Sequence, residues 1–379
     1  MNNFNDTKIR SEMISLVDNK KLCSGIALAF GNEEICNYYN YGITGNNNFC
    51  VSSNTIIDLA SVTKLFLCFA YFHLYDLESI DFNKPISFYS DSFKNIKNFS
   101  INDLMHFNCL LKTQNRISNI SYEEALTEII NIEGKPLDLP LYSDMPAIVL
   151  GVLFEYISQK SFGSFVNENI IKPFNLSNTF WNTNKKIDNF MDYSGEIQIL
   201  NGQILKLNNP PLIVNDIKAR ILSNNGKNLC GHSGIFSSAS DICKISQALL
   251  NGKVISKKSL NKIGHVVNTN SNQRFGNLCY CKSPIDYLSE VPFEFSDNSF
   301  AMSGFTGNYY CIDPKNNRFI FIGSNKLSNR VSKFDDGVEV TDSMININSQ
   351  KFICSKSFAF EKDKLRNACS KCLLRYIKD

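Results

Sequence analysis

The sequence predicts an α/β protein of the α+β type, in which one antiparallel sheet is built from both ends of the chain. Residues 24–30 and 33–42 have the composition and alternation of two strands, joined at Gly31–Asn32. Three more strand-like segments lie within residues 293–324. The intervening sequence is punctuated by Pro and Asn and patterned mostly as helices, so we expect an inserted helical lobe.

The remaining elements support this arrangement. An amphipathic helix is predicted at residues 7–19, and later helices at 123–132, 147–160 and 237–252, with a last helix closing the chain. With 379 residues, 43% of them hydrophobic, the chain can form two lobes. The predicted boundaries are residues 1–80 with 226–379 for a discontinuous sheet domain and 81–225 for the helical lobe, with the active site at their interface.

Composition and charge exclude some partners. The net charge is +3 and the Lys and Arg residues form no dense cluster, so nucleic-acid binding has no support. The longest apolar stretch, residues 65–75, is too short to span a bilayer. The N-terminal residues lack the apolar core of a secretory signal, which favours a cytoplasmic protein.

Thirteen cysteines are scattered along the chain, unlike a disulfide framework. Two close pairs, Cys279/Cys281 and Cys369/Cys372, allow either a metal site or packed thiols. The second pair shares one predicted helical face with three other apolar residues, Leu365, Leu373 and Tyr376. This pattern favours packed thiols, and no metal or other cofactor is expected.

Residues 59–66, LASVTKLF, place a serine and a lysine three apart before an apolar run. In a helix Ser61 and Lys64 would share a face, and Asp58 or Ser61 could cap its start. Burial and the helix dipole would both lower the pKa of Lys64, and a neutral amine could act as general base for Ser61. The alternative is a lysine that extends from the helix end to water.

Three further stretches extend this pattern: YSD at 142–144, CGHSGIFSSASD at 230–241 and AMSGFTG at 301–307. In order and spacing the chain resembles the serine β-lactamase and penicillin-binding-protein superfamily, closest to its class C-like branch of esterases and D-aminopeptidases. The resemblance runs from about Cys23 to Asn329. It implies a β-lactamase/transpeptidase-like fold, and several ordered motifs are more specific than any one alone.

The resemblance also implies roles for particular residues. Ser61 would be the acylated nucleophile, Lys64 its partner and Tyr142 the group that relays the proton to the leaving group. Asp144 occupies the third position of a Tyr-x-Asn element. The backbone amides of Ser61 and Phe305 would form the oxyanion hole, each worth ~3 kcal/mol at the transition state.

One motif departs from the family. Its third motif begins with Lys or His, whereas this chain has Met302–Ser303–Gly304. Ser303 keeps the substrate-facing hydroxyl and Gly304 the close backbone approach, but Met302 carries no charge. Recognition of carboxylate-bearing substrates such as β-lactams is therefore in question.

Three functions follow from these observations. The first is a serine hydrolase that acts on an amide or ester bond of a small molecule or short peptide. The second is a binding or regulatory protein on the same fold, suggested by Met302 and by an altered loop around His106. The third is a D-alanyl carboxypeptidase-like cell-wall enzyme. His232 is expected to be structural, and the role of residues 331–379 and the oligomeric state are left open.

Overall fold

The computed structural model describes residues 4–181, 187–207, 212–223, 228–328, 330–341, 344–354 and 358–374. The helices in this part of the chain are α1 (Phe4–Ile14), α2 (Thr63–Asp76), α3 (Ile101–Met105), α4 (Tyr122–Ile130), α5 (Met145–Ser158), α6 (Phe162–Val166), α7 (Ile217–Leu222), α8 (Ala239–Leu250), α9 (Lys257–Ile263) and α10 (Phe358–Leu373).

The strands are β1 (Gly25–Asn32), β2 (Cys36–Gly42), β3 (Ile57–Asp58), β4 (Cys109–Lys112), β5 (Glu133–Pro136), β6 (Glu196–Leu200), β7 (Gln203–Leu207), β8 (Phe236–Ser237), β9 (Tyr280–Cys281), β10 (Phe300–Ser303), β11 (Tyr309–Asp313), β12 (Arg318–Ser324), β13 (Val331–Phe334), β14 (Val340–Thr341), β15 (Met344–Ile347) and β16 (Gln350–Ile353).

The central sheet has six strands in the order β2-β1-β12-β11-β10-β9, and every neighbouring pair is antiparallel. Strand β1 from the N-terminal part pairs with β12 from the C-terminal part, with Ile26 opposite Ser324. The predicted fold class is therefore confirmed. The division into two lobes with the stated boundaries stays a prediction.

Helices cover both faces of this sheet. On one face, α2, α5 and α8 contribute to the larger core, which also takes in Met302 and Tyr310 from the sheet. On the other face, α1 and α10 pack over a second core that contains Cys369 and Cys372. These two thiols are buried, as expected for packed cysteines, while Tyr376 of the predicted helical face lies outside the described residues.

The turn after β1 differs from the sequence-based expectation. Asn32 belongs to the strand, and its side-chain oxygen accepts hydrogen bonds from the backbone amides of Glu34 and Ile35. An asparagine side chain favours this kind of local turn over the residues that follow it. The reversal therefore occurs at residues 33–35 rather than at Gly31–Asn32.

The inserted segment contains more than helices. Strands β4 and β5 form one small hairpin and β6 and β7 another. These strands are four or five residues long, too short to show a clear alternation in sequence. Strand β13 from the tail pairs in parallel with β6, so the region after residue 330 joins the inserted segment as well as covering the sheet.

None of the helices in the described ranges has the length and apolar content needed to cross a membrane. The cytoplasmic location inferred from the sequence stays a prediction.

Candidate active site

Ser61 lies in a single 3-10 turn, Ala60–Val62, between β3 and α2. Ala60 has a φ of +47°, a conformation that costs energy for a residue with a Cβ and occurs often at functional sites. The Asp58 carboxylate accepts a hydrogen bond from the Ala60 amide at 2.9 Å, just before this turn. Neither Asp58 nor Ser61 caps α2, contrary to expectation, and the Ser61 hydroxyl is left for other contacts.

Lys64 is completely buried in the first turn of α2 and points at Ser61. Its Nζ lies 2.9 Å from Ser61 Oγ, 2.9 Å from Asp144 Oδ1 and 3.4 Å from the backbone oxygen of His232. The shared face of residues 61 and 64 is therefore confirmed. The alternative of a lysine extending to water is wrong.

The predicted direction of the Lys64 pKa is also wrong. Burial alone would lower the pKa, but the Tyr142 oxygen and the Asp144 carboxylate stabilise the ammonium and raise the pKa above its usual value. Burial and the helix dipole can be inferred from the sequence, but this carboxylate, 80 residues away in the chain, cannot. Lys64 is accordingly a cation at neutral pH.

Tyr142 approaches Ser61 from the loop before α5. Its hydroxyl lies 3.0 Å from Ser61 Oγ, so Ser61 contacts both Lys64 and Tyr142. The Tyr142 ring stacks on Tyr280 of β9, with ring centres 5.3 Å apart and planes 18° apart. This stacking fixes the ring between the inserted segment and the sheet.

Asp144 begins a chain of alternating charges that leads away from Ser61. Its Oδ2 lies 2.6 Å from Lys218 Nζ, and the same ammonium lies 3.9 Å from Asp216 Oδ2. Asp216 Oδ1 is 3.0 Å from His232 Nε2, and Cys230 Sγ is 2.7 Å from His232 Nδ1. Both ring nitrogens of His232 are thus bonded, as expected for a structural histidine.

The charges in this chain reinforce one another. Burial lowers the pKa of His232, but Cys230 and Asp216 outweigh burial and raise that pKa to about 9. Burial raises the pKa of Asp216, and His232 reverses this and lowers it to about 2. Asp216 and Lys218 were not predicted as site residues, because no spacing connects α7 to residue 144.

Asp144, Asp216 and His232 are also the only cluster in the described ranges whose ligand atoms could surround a metal ion, all within 4.8 Å of one another. The Lys218 ammonium already lies between the two carboxylates. Since a lysine cation balances their charge, these residues do not call for a metal.

Met302 and Ser303 point to opposite faces of β10. Met302 is fully buried in the larger core. Ser303 Oγ donates to Glu290 Oε2 at 2.8 Å and accepts from Lys362 Nζ at 2.9 Å. A cation therefore does lie next to the third motif, but it comes from α10 rather than from position 302.

The turn that follows β10 is fixed against the segment that carries Ser61. A Cβ on Gly304 would lie 2.7 Å from the Leu59 backbone oxygen, so only glycine allows this close approach. Thr306 Oγ1 donates to the Asp58 backbone oxygen at 2.8 Å. Within the described chain, the amides of Ser61 and Phe305 donate to no protein group, so both can bind a ligand oxygen.

His106, in the altered loop, is a buried structural residue. Its ring nitrogens bond the backbone oxygens of Asn102 at 2.9 Å and His265 at 3.3 Å. This histidine stabilises the loop and does not reach Ser61.

Comparison with known proteins defines the class first: the fold is shared with solved penicillin-binding proteins, and the family match supports an enzyme of the serine hydrolase type. The chain belongs to the beta-lactamase family, whose model matches residues 24–342. A curated relative, a putative D-alanyl-D-alanine carboxypeptidase of Salmonella gallinarum, is 25% identical over 321 residues, covering 73% of this chain and 70% of the relative.

Solved structures agree on the fold. A beta-lactamase/D-alanine carboxypeptidase from Pseudomonas syringae has a TM-score of 0.68 at 15% identity and covers 99% of each chain. The D-amino acid amidase of Ochrobactrum anthropi SV3 has a TM-score of 0.64 at 14% identity, covering 98% of this chain and 99% of the amidase. At such low identities these neighbours establish the architecture and not the substrate.

Proposed function

We propose that this protein hydrolyses an amide or ester bond through an acyl-enzyme formed on Ser61. The observation that carries the proposal is that Ser61 Oγ lies within hydrogen-bond distance of both Lys64 Nζ and Tyr142 Oη. A serine hydroxyl is a weak nucleophile until a neighbouring group removes its proton. Lys64 and Tyr142 are the two groups placed to activate this hydroxyl.

The protonation state of Lys64 decides which group can accept the Ser61 proton. A buried ammonium paired with Asp144 donates hydrogen bonds and cannot accept the Ser61 proton. We assign to Tyr142 the role of taking this proton and later passing it to the leaving group. Lys64 lies 5.1 Å above the Tyr142 ring and stabilises the negative charge on both oxygens.

The amides of Ser61 and Phe305 would bind the oxygen of the tetrahedral intermediate. Two such donors contribute ~3 kcal/mol each when they are preorganised. Gly304 and the bond from Thr306 to Asp58 hold these amides in one rigid unit. This close packing supports the assignment of the two amides to an oxyanion hole.

The substrate would be a small molecule or short peptide that carries an ester or amide bond. The alternative of a non-catalytic binding protein was motivated mainly by the missing cation at position 302. Lys362 supplies a cation next to Ser303, so the uncharged residue at position 302 is weaker evidence against catalysis. We therefore retain the hydrolase as the proposed function.

A fluorophosphonate probe tests the proposal directly, because it reacts with an activated serine. The unmodified protein should be labelled, and Ser61→Ala should lose the label. Ser52→Ala, which changes a serine in a surface turn, is the matched control and should label normally. Equal labelling of the Ser61→Ala protein and the unmodified protein would reject the assignment.

A further inference from the structure

The edge of the sheet beside the site carries a carboxylate of the protein itself. Glu290 lies on the loop between β9 and β10, and its Oε2 accepts a hydrogen bond from Ser303 Oγ at 2.8 Å. Lys362 Nζ lies 2.9 Å from the same Ser303 oxygen and 3.6 Å from Glu290 Oε2. The Ser303 hydroxyl, the Lys362 ammonium and the Glu290 carboxylate thus form one group in which each contacts the other two.

The loop holds Glu290 firmly in this position. The Tyr309 hydroxyl donates to the Glu290 backbone oxygen at 2.7 Å, and Arg366 donates to the Ser289 backbone oxygen at 3.0 Å. Burial would raise the pKa of Glu290, but the Lys362 charge and the bond from Ser303 hold it below its usual value. Glu290 is therefore an anion at neutral pH.

This group borders the proposed catalytic centre. Ser303 directly precedes Gly304, which touches the backbone of Leu59 two residues before Ser61. The Glu290 charge also acts on Tyr280, whose ring stacks on Tyr142. A substrate acylating Ser61 would place part of its structure against Ser303.

A serine hydroxyl beside a lysine ammonium is a good receptor for a carboxylate, because both donate hydrogen bonds to it and one carries the opposite charge. Here Glu290 already occupies that receptor. The carboxylate of a substrate would be repelled by Glu290, and to bind there it would have to displace the Glu290 side chain.

We propose that Glu290 fills the anion subsite beside Ser61 and makes this enzyme discriminate against substrates with a free carboxylate next to the scissile bond. Its substrates are instead neutral esters or amides. The inference deepens the proposed function and rests on it for the location of the scissile bond. It also separates this chain from the D-alanyl-D-alanine carboxypeptidases named among its relatives, whose substrates end in a carboxylate.

The neighbouring charges predict what happens when Glu290 is neutralised. Lys326 Nζ lies 5.2 Å above the Phe305 ring. Burial and, to a smaller extent, the Lys362 ammonium together lower the pKa of Lys326 to about 8. Without the Glu290 charge, the Lys362 ammonium and the Ser303 hydroxyl would be left without a carboxylate partner, and an added carboxylate should bind there.

The test compares two ligands that differ only in charge, N-acetyl-D-alanyl-D-alanine and its C-terminal amide. Binding is measured by titration calorimetry in the Ser61→Ala background, so turnover is not needed. With Glu290 present, the amide should bind more tightly than the acid. Glu290→Gln, which keeps the side-chain shape, should shift the acid-to-amide affinity ratio at least about tenfold toward the acid.

Two variants complete the design. Glu294→Gln is the matched control: this residue is on the same loop and its carboxylate accepts from Ser370 of α10 at 2.8 Å, away from Ser303. It should leave the ratio unchanged. Adding Lys362→Met to Glu290→Gln should abolish the gain, because the receptor then lacks its ammonium.

The proposal is overturned if the acid binds as tightly as the amide while Glu290 is present. It is also overturned if Glu290→Gln shifts the ratio no more than Glu294→Gln, or if the acid fails to bind the Glu290→Gln protein. These outcomes do not depend on labelling of Ser61. Failure of the proposed hydrolase function and failure of this inference are therefore distinguishable.

Discussion

The catalytic centre and the edge of β10 use the same two groups, a serine hydroxyl and a lysine ammonium, but assemble them differently. Ser61 and Lys64 are three residues apart on one turn, and their oxygen and nitrogen lie 2.9 Å apart. Ser303 and Lys362 are also joined at 2.9 Å, although they are 59 residues apart and on different elements. The first pair follows from helical spacing, whereas the second exists only because α10 packs against the sheet.

The two regions also differ in how the ammonium is neutralised. At the catalytic centre, the Asp144 carboxylate pairs with both Lys64 and Lys218. With two cationic partners, this carboxylate is not available to bind a substrate. At the edge, Glu290 blocks the place where a substrate anion would bind. As proposed, the same pair of groups activates a nucleophile in one region and selects a substrate in the other.

The strongest test of the catalytic half of this comparison is Lys64→Met. Loss of the ammonium removes the stabilisation of the Tyr142 and Ser61 oxygens, so we expect kcat/KM for an ester to fall by about 10³-fold. Circular dichroism should show a folded protein. Activity within tenfold of the unmodified enzyme would mean that Lys64 is not part of the catalytic centre.

A second large effect is expected from Asp144→Asn. Leaving the buried Lys64 without its anion should lower the free energy of unfolding by about 3 kcal/mol at pH 7, measured by urea denaturation. Burial raises the pKa of Asp144, but Lys64 and its other cationic neighbours hold it well below its usual value. This contribution is present above about pH 4 and is lost as the pH falls further, so the difference between the two proteins should shrink in acid.

The same variant separates the roles of Lys64 and Tyr142. Without Asp144, burial should lower the pKa of Lys64, and a neutral amine becomes available near neutral pH. The pH–rate profile of Asp144→Asn should then change its shape on the alkaline side. An unchanged profile would show that the protonation of Lys64 does not control the rate.

A smaller effect is expected at the far end of the charged chain. The folded-state pKa of His232 is raised to about 9 by Cys230 and Asp216 against the effect of burial. The stability from this cation is fully present below about pH 6.5 and is lost as the pH rises through 9, amounting to about 3 kcal/mol at most. Urea midpoints of His232→Gln should lack this alkaline loss; a parallel dependence in both proteins would contradict it.

The smallest effect is expected at the edge. Lys362→Met removes the charge that holds Glu290 ionised and should lower the free energy of unfolding by about 1–2 kcal/mol at pH 7. Since the pKa of Glu290 is lowered in the folded protein, the difference should fade below about pH 4. A constant difference down to pH 3 would show that Lys362 acts by packing alone.

The sequence by itself determined the features that depend on local spacing. The alternation of residues 24–42 and 307–324 indicated strands β1, β2, β11 and β12, and the apolar run after Lys64 indicated a buried helix. The serine–lysine spacing placed both side chains on one face because a helix turn covers about three to four residues. These interactions act between near neighbours, so the sequence order records them.

Only the tertiary structure decided which charged groups lie next to one another. The raised pKa of Lys64 depends on Asp144, and the cation beside Ser303 depends on Lys362, and no periodicity relates either partner to its target. The short hairpins β4–β5 and β6–β7 were also missed, because a few residues carry too little pattern. Electrostatic energies depend on distances in space and on burial, and the linear sequence contains neither until the chain is folded.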